Sequence, residues 1–400
     1  MIRAVRLRSI LEVDEKIWDA IVPDSAFFHS HRFIRSIEEA RVEDADSWYL
    51  LFYDGQRLVG SAALSAFRIS MDLFTGKAGQ ALIGFLRKMV PDFLNVPILF
   101  CGLPISIGKH NLLIADTALS RDILRALHQE MVDISRAENI SFLCVKEFDE
   151  GRRPMMDGLV EEGFLCLPSI PYVSLPIRWP SFPAYLDDLR HGYRRQIVRS
   201  LKKLGWTEPL IDLGESRHVG SASPRIVLEP ANSGAADGFY DLYQEVMKRA
   251  TVKLETLNRE FFRRFFVLTA GELEILSFVA GHEVLAAALL VWHGPTMTFL
   301  LVGLRYESLA AYDVYFNLLN AIVKLAIDRG CRRLDLGQTS YYAKQRLGGE
   351  VGKVCFYLRS RKRTVRVLLK VFKRALFPEL AVRRHRVFKA REGGPPPSLT

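Results

Sequence analysis

No run of eighteen apolar residues occurs in this 400-residue chain. No segment is therefore expected to span a bilayer as a helix, which needs about 20 such residues. The N-terminus, MIRAVRLRSILEVDEK, has no apolar stretch of signal-peptide length, which reads as a cytoplasmic protein. Cysteine is scarce. Cys101, Cys144, Cys166, Cys331 and Cys355 lie far apart in apolar surroundings, and none forms the C-x-x-C or Cys/His spacing of a metal site. No metal is expected, and reduced packed thiols are the reading. None has a neighbouring His, Lys or glycine-rich turn that would mark a nucleophile. No heptad run is present, so no coiled coil is expected. What is present is a folded composition, 49% hydrophobic and 25% charged, in a chain long enough for two cores.

The net charge of +10 is unevenly spread: residues 359–392 hold thirteen Lys/Arg against two Asp/Glu, so the remainder is close to neutral. The first half reads as a strand at Arg3–Arg8, a helix through Phe27–Ile37, a hairpin Trp48–Tyr53/Arg57–Ser65, and an amphipathic helix Ala81–Val90. A buried strand Val96–Cys101, a long helix Arg121–Ala137, and strands Ser141–Val145 and Tyr172–Ile177 follow. The second half repeats the plan: helices Phe239–Arg249 and Arg259–Thr269, a hairpin Leu273–Val279/Glu283–Val291, a strand Thr296–Leu304, a helix Asp313–Arg329 and a strand Cys331–Leu336. FYDGQRLVGSAALS (52–65) aligns without gaps on FVAGHEVLAAALLV (278–291), and an internal duplication is the simplest account. Between the halves, Phe182–Gly205 reads as a helical hairpin whose second arm carries Arg190, Arg194, Arg195, Arg199, Lys202 and Lys203.

The segment Leu334–Arg359, LDLGQTSYYAKQRLGGEVGKVCFYLR, combines a strand, a glycine break, a helical turn over Thr339–Arg346, a glycine pair and a strand Val351–Leu358. That order makes a crevice at the carboxyl end of a strand in an open α/β sheet. Lys344 sits in the middle of the turn, where packing does not require a lysine.

Leu334, Asp335, Leu336, Gly337, Lys344, Leu347, Gly348 and Gly349 resemble the C-terminal signature of the FemAB-like acyltransferases, tandem-domain members of the GNAT superfamily. The basic connector resembles the R-x-x-I-[RK] segment that those proteins carry between their domains, and the resemblance covers most of residues 25–360. It implies an α/β fold with α+β mixed sheets: GNAT-like domains at 1–180 and 223–360, a basic helical connector at 181–222 and a basic amphipathic tail at 361–400. It implies an acyl thioester, acyl-CoA or another, held in the splay between the strands at Thr298–Leu304 and Leu334–Leu336. It makes Lys344 the donor to the oxyanion that forms when an amine attacks.

His191, Glu255, Asp313 and Tyr341 are the candidates for the base, and the sequence does not rank them. Arg194, Arg195, Glu255, Tyr315, Tyr342 and Gln338 are the expected substrate contacts, and Gly337, Gly348 and Gly349 the backbone approach to the donor. The [Q/R]-x-x-G-x-[G/A] loop that holds pyrophosphate in most small GNAT enzymes is missing around Leu304–Asp313. A match to the pattern, RLVGSA at Arg57–Ala62, falls inside a hairpin strand and is read as chance. The donor therefore stays open between coenzyme A, an acyl-carrier thioester and an aminoacyl-tRNA.

The tail places Val365, Leu368, Leu369, Phe372 and Leu376 on one helical face and Lys/Arg on the other. Two readings stand level, an anionic membrane surface reached through residues 361–391 and a core-docked terminal helix. Contact with tRNA phosphate is less favoured and DNA is not expected, since few aromatics interleave with the charges. The tail, the apolar Ala81–Cys101 segment and the QTSYYAKQRLGG…FYLR ending, similar to that of bacterial ceramide synthases, lean toward a lipid amine such as a sphingoid base. The alternatives are aminoacyl transfer to a peptidoglycan precursor and a non-catalytic GNAT pair acting as a membrane scaffold. The location implied is the cytoplasm, peripheral on the inner face of the membrane.

Overall fold

The computed structural model describes residues 2–70, 95–205, 211–212, 224–250, 255–308 and 311–389. The expected helix Ala81–Val90 lies outside them. In chain order the strands are β1 Ile2–Leu7, β2 Asp46–Asp54, β3 Arg57–Ser70, β4 Asn95–Cys101, β5 Leu112–Ile114, β6 Phe142–Asp149, β7 Leu165–Pro168 and β8 Tyr172–Pro176. The second eight are β9 Ile211–Asp212, β10 Arg225–Pro230, β11 Leu273–Ala280, β12 Glu283–His293, β13 Thr296–Leu304, β14 Arg333–Gln338, β15 Glu350–Gly352 and β16 Val354–Ser360. They form two mixed sheets, ordered β1-β2-β3-β4-β6-β16-β7 with β5 on β3, and β15-β8-β14-β13-β12-β11-β10-β9.

Each sheet is the centre of a compact unit. Unit 1 comprises residues 1–172, 231–273 and 352–381, and unit 2 comprises 173–230, 274–351 and 382–400. The chain is thus interleaved. The strand expected at Val351–Leu358 is two strands, β15 in the second sheet and β16 in the first. The strand read as closing the first half, β8, pairs in the second sheet. Helices Ala236–Arg249 and Arg259–Leu268 belong to unit 1. The cause is visible in the second of them. Phe261, Phe262, Phe265 and Phe266 are all buried, and Phe265 packs 5.5 Å from Phe33 and 6.3 Å from Phe27.

In unit 1, alternation along the strands supplies two apolar faces. Leu99, Cys101, Leu143, Val145 and Tyr357 face one core with Ile123, Leu124, Leu127 and Met131 of helix Ser120–Ala137. Ile98, Phe100, Cys144 and Leu358 face the other, which Leu369 of helix Arg363–Val371 covers. The sheet is antiparallel apart from β4 and β6, which run parallel from Ile98↔Phe142 to Cys101↔Val145.

In unit 2, helix Val314–Asp328 is buried nearly all round, from Asn317 to Ile327 without a break, as a helix inside a core must be. It leads into β14, which runs parallel to β13. Strand, helix, parallel strand therefore occurs once in each unit, and the hairpins β2–β3 and β11–β12 both turn through a glycine at φ 60°. The duplication seen in the sequence is present in the fold.

Candidate active site

The site in unit 2 is built by two strands that part. β13 and β14 pair at Thr296↔Arg333, Met297↔Leu334 and Thr298↔Asp335, and the register ends there. β13 runs on along β12 to Leu304, with a shift that leaves Leu300 unopposed. An extra residue of this kind bends a strand and re-aims its side chains. Phe299 is held just at the parting.

Past Leu336 the chain turns sharply. Gly337, Thr339 and Ser340 take φ of 69°, 59° and 48°. Thr and Ser in that region cost about 1–3 kcal/mol each, a strain that collects at functional sites. The Gly337 N–H donates to Asp335 Oδ1 at 3.2 Å, and the helix Tyr341–Arg346 follows with Ser340 at its N-cap.

This turn buries Lys344, which is 4% exposed. Its Nζ donates to the Gln338 carbonyl oxygen at 2.5 Å and lies 6.0 Å from the Phe299 ring centroid. Burial pushes its pKa down to about 7, against the attraction of Asp335, itself 3% exposed. An ammonium has three donors, and the one hydrogen bond that Lys344 Nζ makes among the described residues leaves two for a ligand. Tyr315 and Tyr341 flank the turn, and burial raises both hydroxyls to about 12. Tyr315 also hydrogen-bonds the Ser340 side chain.

The glycine pair seats the lysine. Gly348 has φ 89°, and a Cβ there would stand 2.1 Å from Phe388 Cζ. A Cβ on Gly349 would meet Val173 Cγ1 at 2.5 Å and the Lys344 carbonyl oxygen at 2.8 Å. The Leu347 and Gly349 N–H groups both donate to that carbonyl at 3.2 Å.

The expected site residues are only partly assembled. Lys344, Gln338, Tyr315, Tyr341 and Gly337 cluster around the turn. Tyr342 is 61% exposed and lines a separate pocket of about 200 Å³ with Tyr193, Gln196, Arg346 and His385. His191, Arg194 and Arg195 are exposed on helix His191–Lys203. Arg194 pairs with Asp187 at 2.8 Å, and among the described residues none of the three bonds to Lys344. Asp313 is occupied, accepting from Ser200 Oγ and Lys203 Nζ at 2.9 Å each, so it holds the basic helix rather than a proton in transit.

Glu255 belongs to unit 1 and joins a set the sequence did not reveal. Its Oε2 accepts from the Ser106 N–H at 3.0 Å. Burial raises its pKa to about 7, with Lys146 opposing and Glu147 adding. Lys146 donates to the Ile105 carbonyl oxygen at 3.0 Å, and Glu147, at φ 71°, accepts from the Gly108 N–H at 3.0 Å. The signal for this set is a Lys-Glu pair set into an otherwise apolar strand, FLCVKEF. Asp335 was singled out only as part of the motif, with no role of its own, and Phe299 was missed because an apolar ring in a strand does not stand out.

Residues 214–345 match the family described as the acetyltransferase (GNAT) domain. The crystal structure of FemX superposes with a TM-score of 0.57 at 11% identity, covering 92% of this chain and 100% of that one. A Mycobacterium tuberculosis protein named "Putative 8-amino-7-oxononanoate synthase 2" is 26% identical over 340 residues, 82% of this chain and 41% of that protein. The chain thus spans less than half the length of that relative. Residues 214–345 therefore carry a GNAT-type acetyltransferase domain, and the fold of the chain is similar to that of FemX.

Proposed function

We propose that the chain is an N-acyltransferase that moves an acyl group from a thioester, acyl-CoA or an acyl-carrier protein, to an amine. The acceptor is a sphingoid-base-like lipid or a cell-envelope precursor, and the enzyme works against the inner face of a membrane. Lys344 carries the reading: a buried ammonium with donors to spare, at the parting of two parallel strands.

The acceptor nitrogen attacks the thioester carbonyl carbon. A C–N bond forms and the carbonyl oxygen takes the electron pair. Lys344 donates to that oxyanion, and a dry, preorganised donor of this kind is worth about 10²–10³ in rate. A nearby oxyanion also favours the charged lysine, restoring the protonation that burial weakens. The C–S bond then breaks and the thiolate needs a proton. Tyr341, held near 12 and so protonated at neutral pH, can donate a hydrogen bond to the departing thiolate, which takes its proton from solvent because a thiol is the stronger acid of the two. The amine's own proton goes to a water or to His191, which belongs to the same unit.

The lipid reading draws on the tail. Val365 and Leu369 of helix Arg363–Val371 dock on the unit 1 sheet. Val367, Leu368, Val371, Phe372, Leu376 and Leu380 are exposed, each by 43% or more. Six large apolar side chains on a strongly basic segment suit an anionic bilayer surface. The M. tuberculosis relative is named for synthesis of an amino-oxo acid, which is itself a primary amine.

Comparative mass spectrometry of lipids and muropeptides, from cells carrying wild type or Lys344→Met at equal expression, tests the proposal. A lipid that loses one amide-linked acyl chain supports it. A muropeptide that loses one amino acid moves the protein to aminoacyl transfer, and no change in either overturns catalysis at Lys344.

A further inference from the structure

Where the tail returns over the edge of the unit 1 sheet it encloses a pocket of about 600 Å³, within the range of small-ligand sites. The mechanism does not use it. Arg153, Lys353, Lys373 and Arg374 line it, against the carboxylates of Glu150 and Glu379. Arg153 reaches Asp157 only at 4.0 Å. Among the described residues Lys353, Lys373 and Arg374 make no ion pair.

Leu167, Val354 and Phe377 form an apolar wall, with Phe377 anchored 5.9 Å from Phe356. Leu380 lines the pocket and is also 54% exposed, so the wall continues into the exposed apolar stripe of the tail. Cys166 and Cys355 stand at the pocket lining. The hydrogen bond from Cys355 holds the Cys166 thiol down to about 6, with help from Arg153 and Lys373 against desolvation.

We propose that this pocket binds the headgroup of one anionic phospholipid, its phosphate among Lys353, Lys373, Arg374 and Arg153 and its acyl chains leaving past Leu380 into the bilayer. The assignment rests on the membrane reading of the tail. Three cations that make no ion pair among the described residues, with Arg153 beside them, call for an anion. An apolar exit calls for an amphiphile rather than free phosphate, and a pocket of this size takes one phosphodiester, not a folded polyanion.

The test reads the alkylation rate of Cys166 in the intact protein with iodoacetamide, using a Cys355→Ser background. The probes are vesicles of phosphatidylglycerol or phosphatidylcholine, monomeric dihexanoyl-phosphatidylglycerol, and glycerol phosphate. At ten times its half-protecting concentration, phosphatidylglycerol is expected to slow alkylation about tenfold by mass action, and phosphatidylcholine is not. Lys373→Ala with Arg374→Ala, both cations at the surface, should weaken protection about 30-fold. Leu368→Ser with Phe372→Ser should reduce vesicle binding yet leave protection by the monomeric lipid intact.

Vesicles that bind without protecting Cys166 would overturn the pocket and leave the tail reading standing. Protection by monomeric lipid with no vesicle binding would sustain the pocket and overturn the tail reading. Glycerol phosphate protecting as well as phosphatidylglycerol would make this a free-phosphate site and refute the lipid assignment.

Discussion

Lys344→Met separates the physical account of the site from its assignment as a site. Lys344 is buried with its pKa lowered from 10.5 to about 7. Between those values the unfolded chain binds a proton that the folded chain does not, so stability should rise with pH. Integrating that single group from pH 7 to pH 10 gives about 3.5 kcal/mol. Methionine has a similar length and no charge, so it lacks this term. The variant should be the more stable protein at pH 7, and wild type should gain on it by about 1 kcal/mol per pH unit or slightly more as pH rises. Urea melts of both proteins at pH 7, 8, 9 and 10, without donor, give the difference directly, because titrations shared by the two cancel. A difference that stays flat with pH would show that Lys344 is not desolvated, and the reasoning from burial to mechanism would fail. The same variant should lose about 100-fold or more in kcat/KM, and arginine should not restore it, since its planar fork does not fit a site shaped for one ammonium.

Other consequences are open to measurement. Gly348→Ala places a Cβ against Phe388 at an unfavourable φ, and thermal melts should show a loss of about 2 kcal/mol or more. Glu255 titrates in the opposite sense to Lys344: its folded pKa is raised to about 7, so the stability it contributes below pH 4.5 is lost as pH climbs through 7. Glu255→Gln should therefore gain on wild type by up to about 3 kcal/mol between pH 4.5 and pH 8, and a pH-independent difference would count against the buried carboxylate. In the tail, Leu369→Ala should cost about 2–4 kcal/mol of stability because it opens a cavity. Leu368→Ser should leave the melting temperature unchanged and weaken binding to anionic vesicles; loss of stability in both would mean that the whole helix is core.

The sequence by itself determined the local elements and their repetition. Alternation specified the hairpins, apolar spacing specified helices Ser120–Ala137 and Val314–Asp328, and the glycine break with Lys344 marked the end of β14. Those features depend on neighbours within one turn or one strand, so a linear pattern records them. Partner choice was decided only in three dimensions. Nothing local distinguishes β15 from β16, yet one joins each sheet. Helix Arg259–Leu268 shows its apolar face without showing which core will take it. The sequence marks Lys344 as a candidate donor, but only the turn at Thr339–Ser340 shows that it is buried, and Glu255 meets Lys146 across more than a hundred residues of chain. Burial and charge contact arise from sequence-distant groups, and they turn these residues into titrating chemistry.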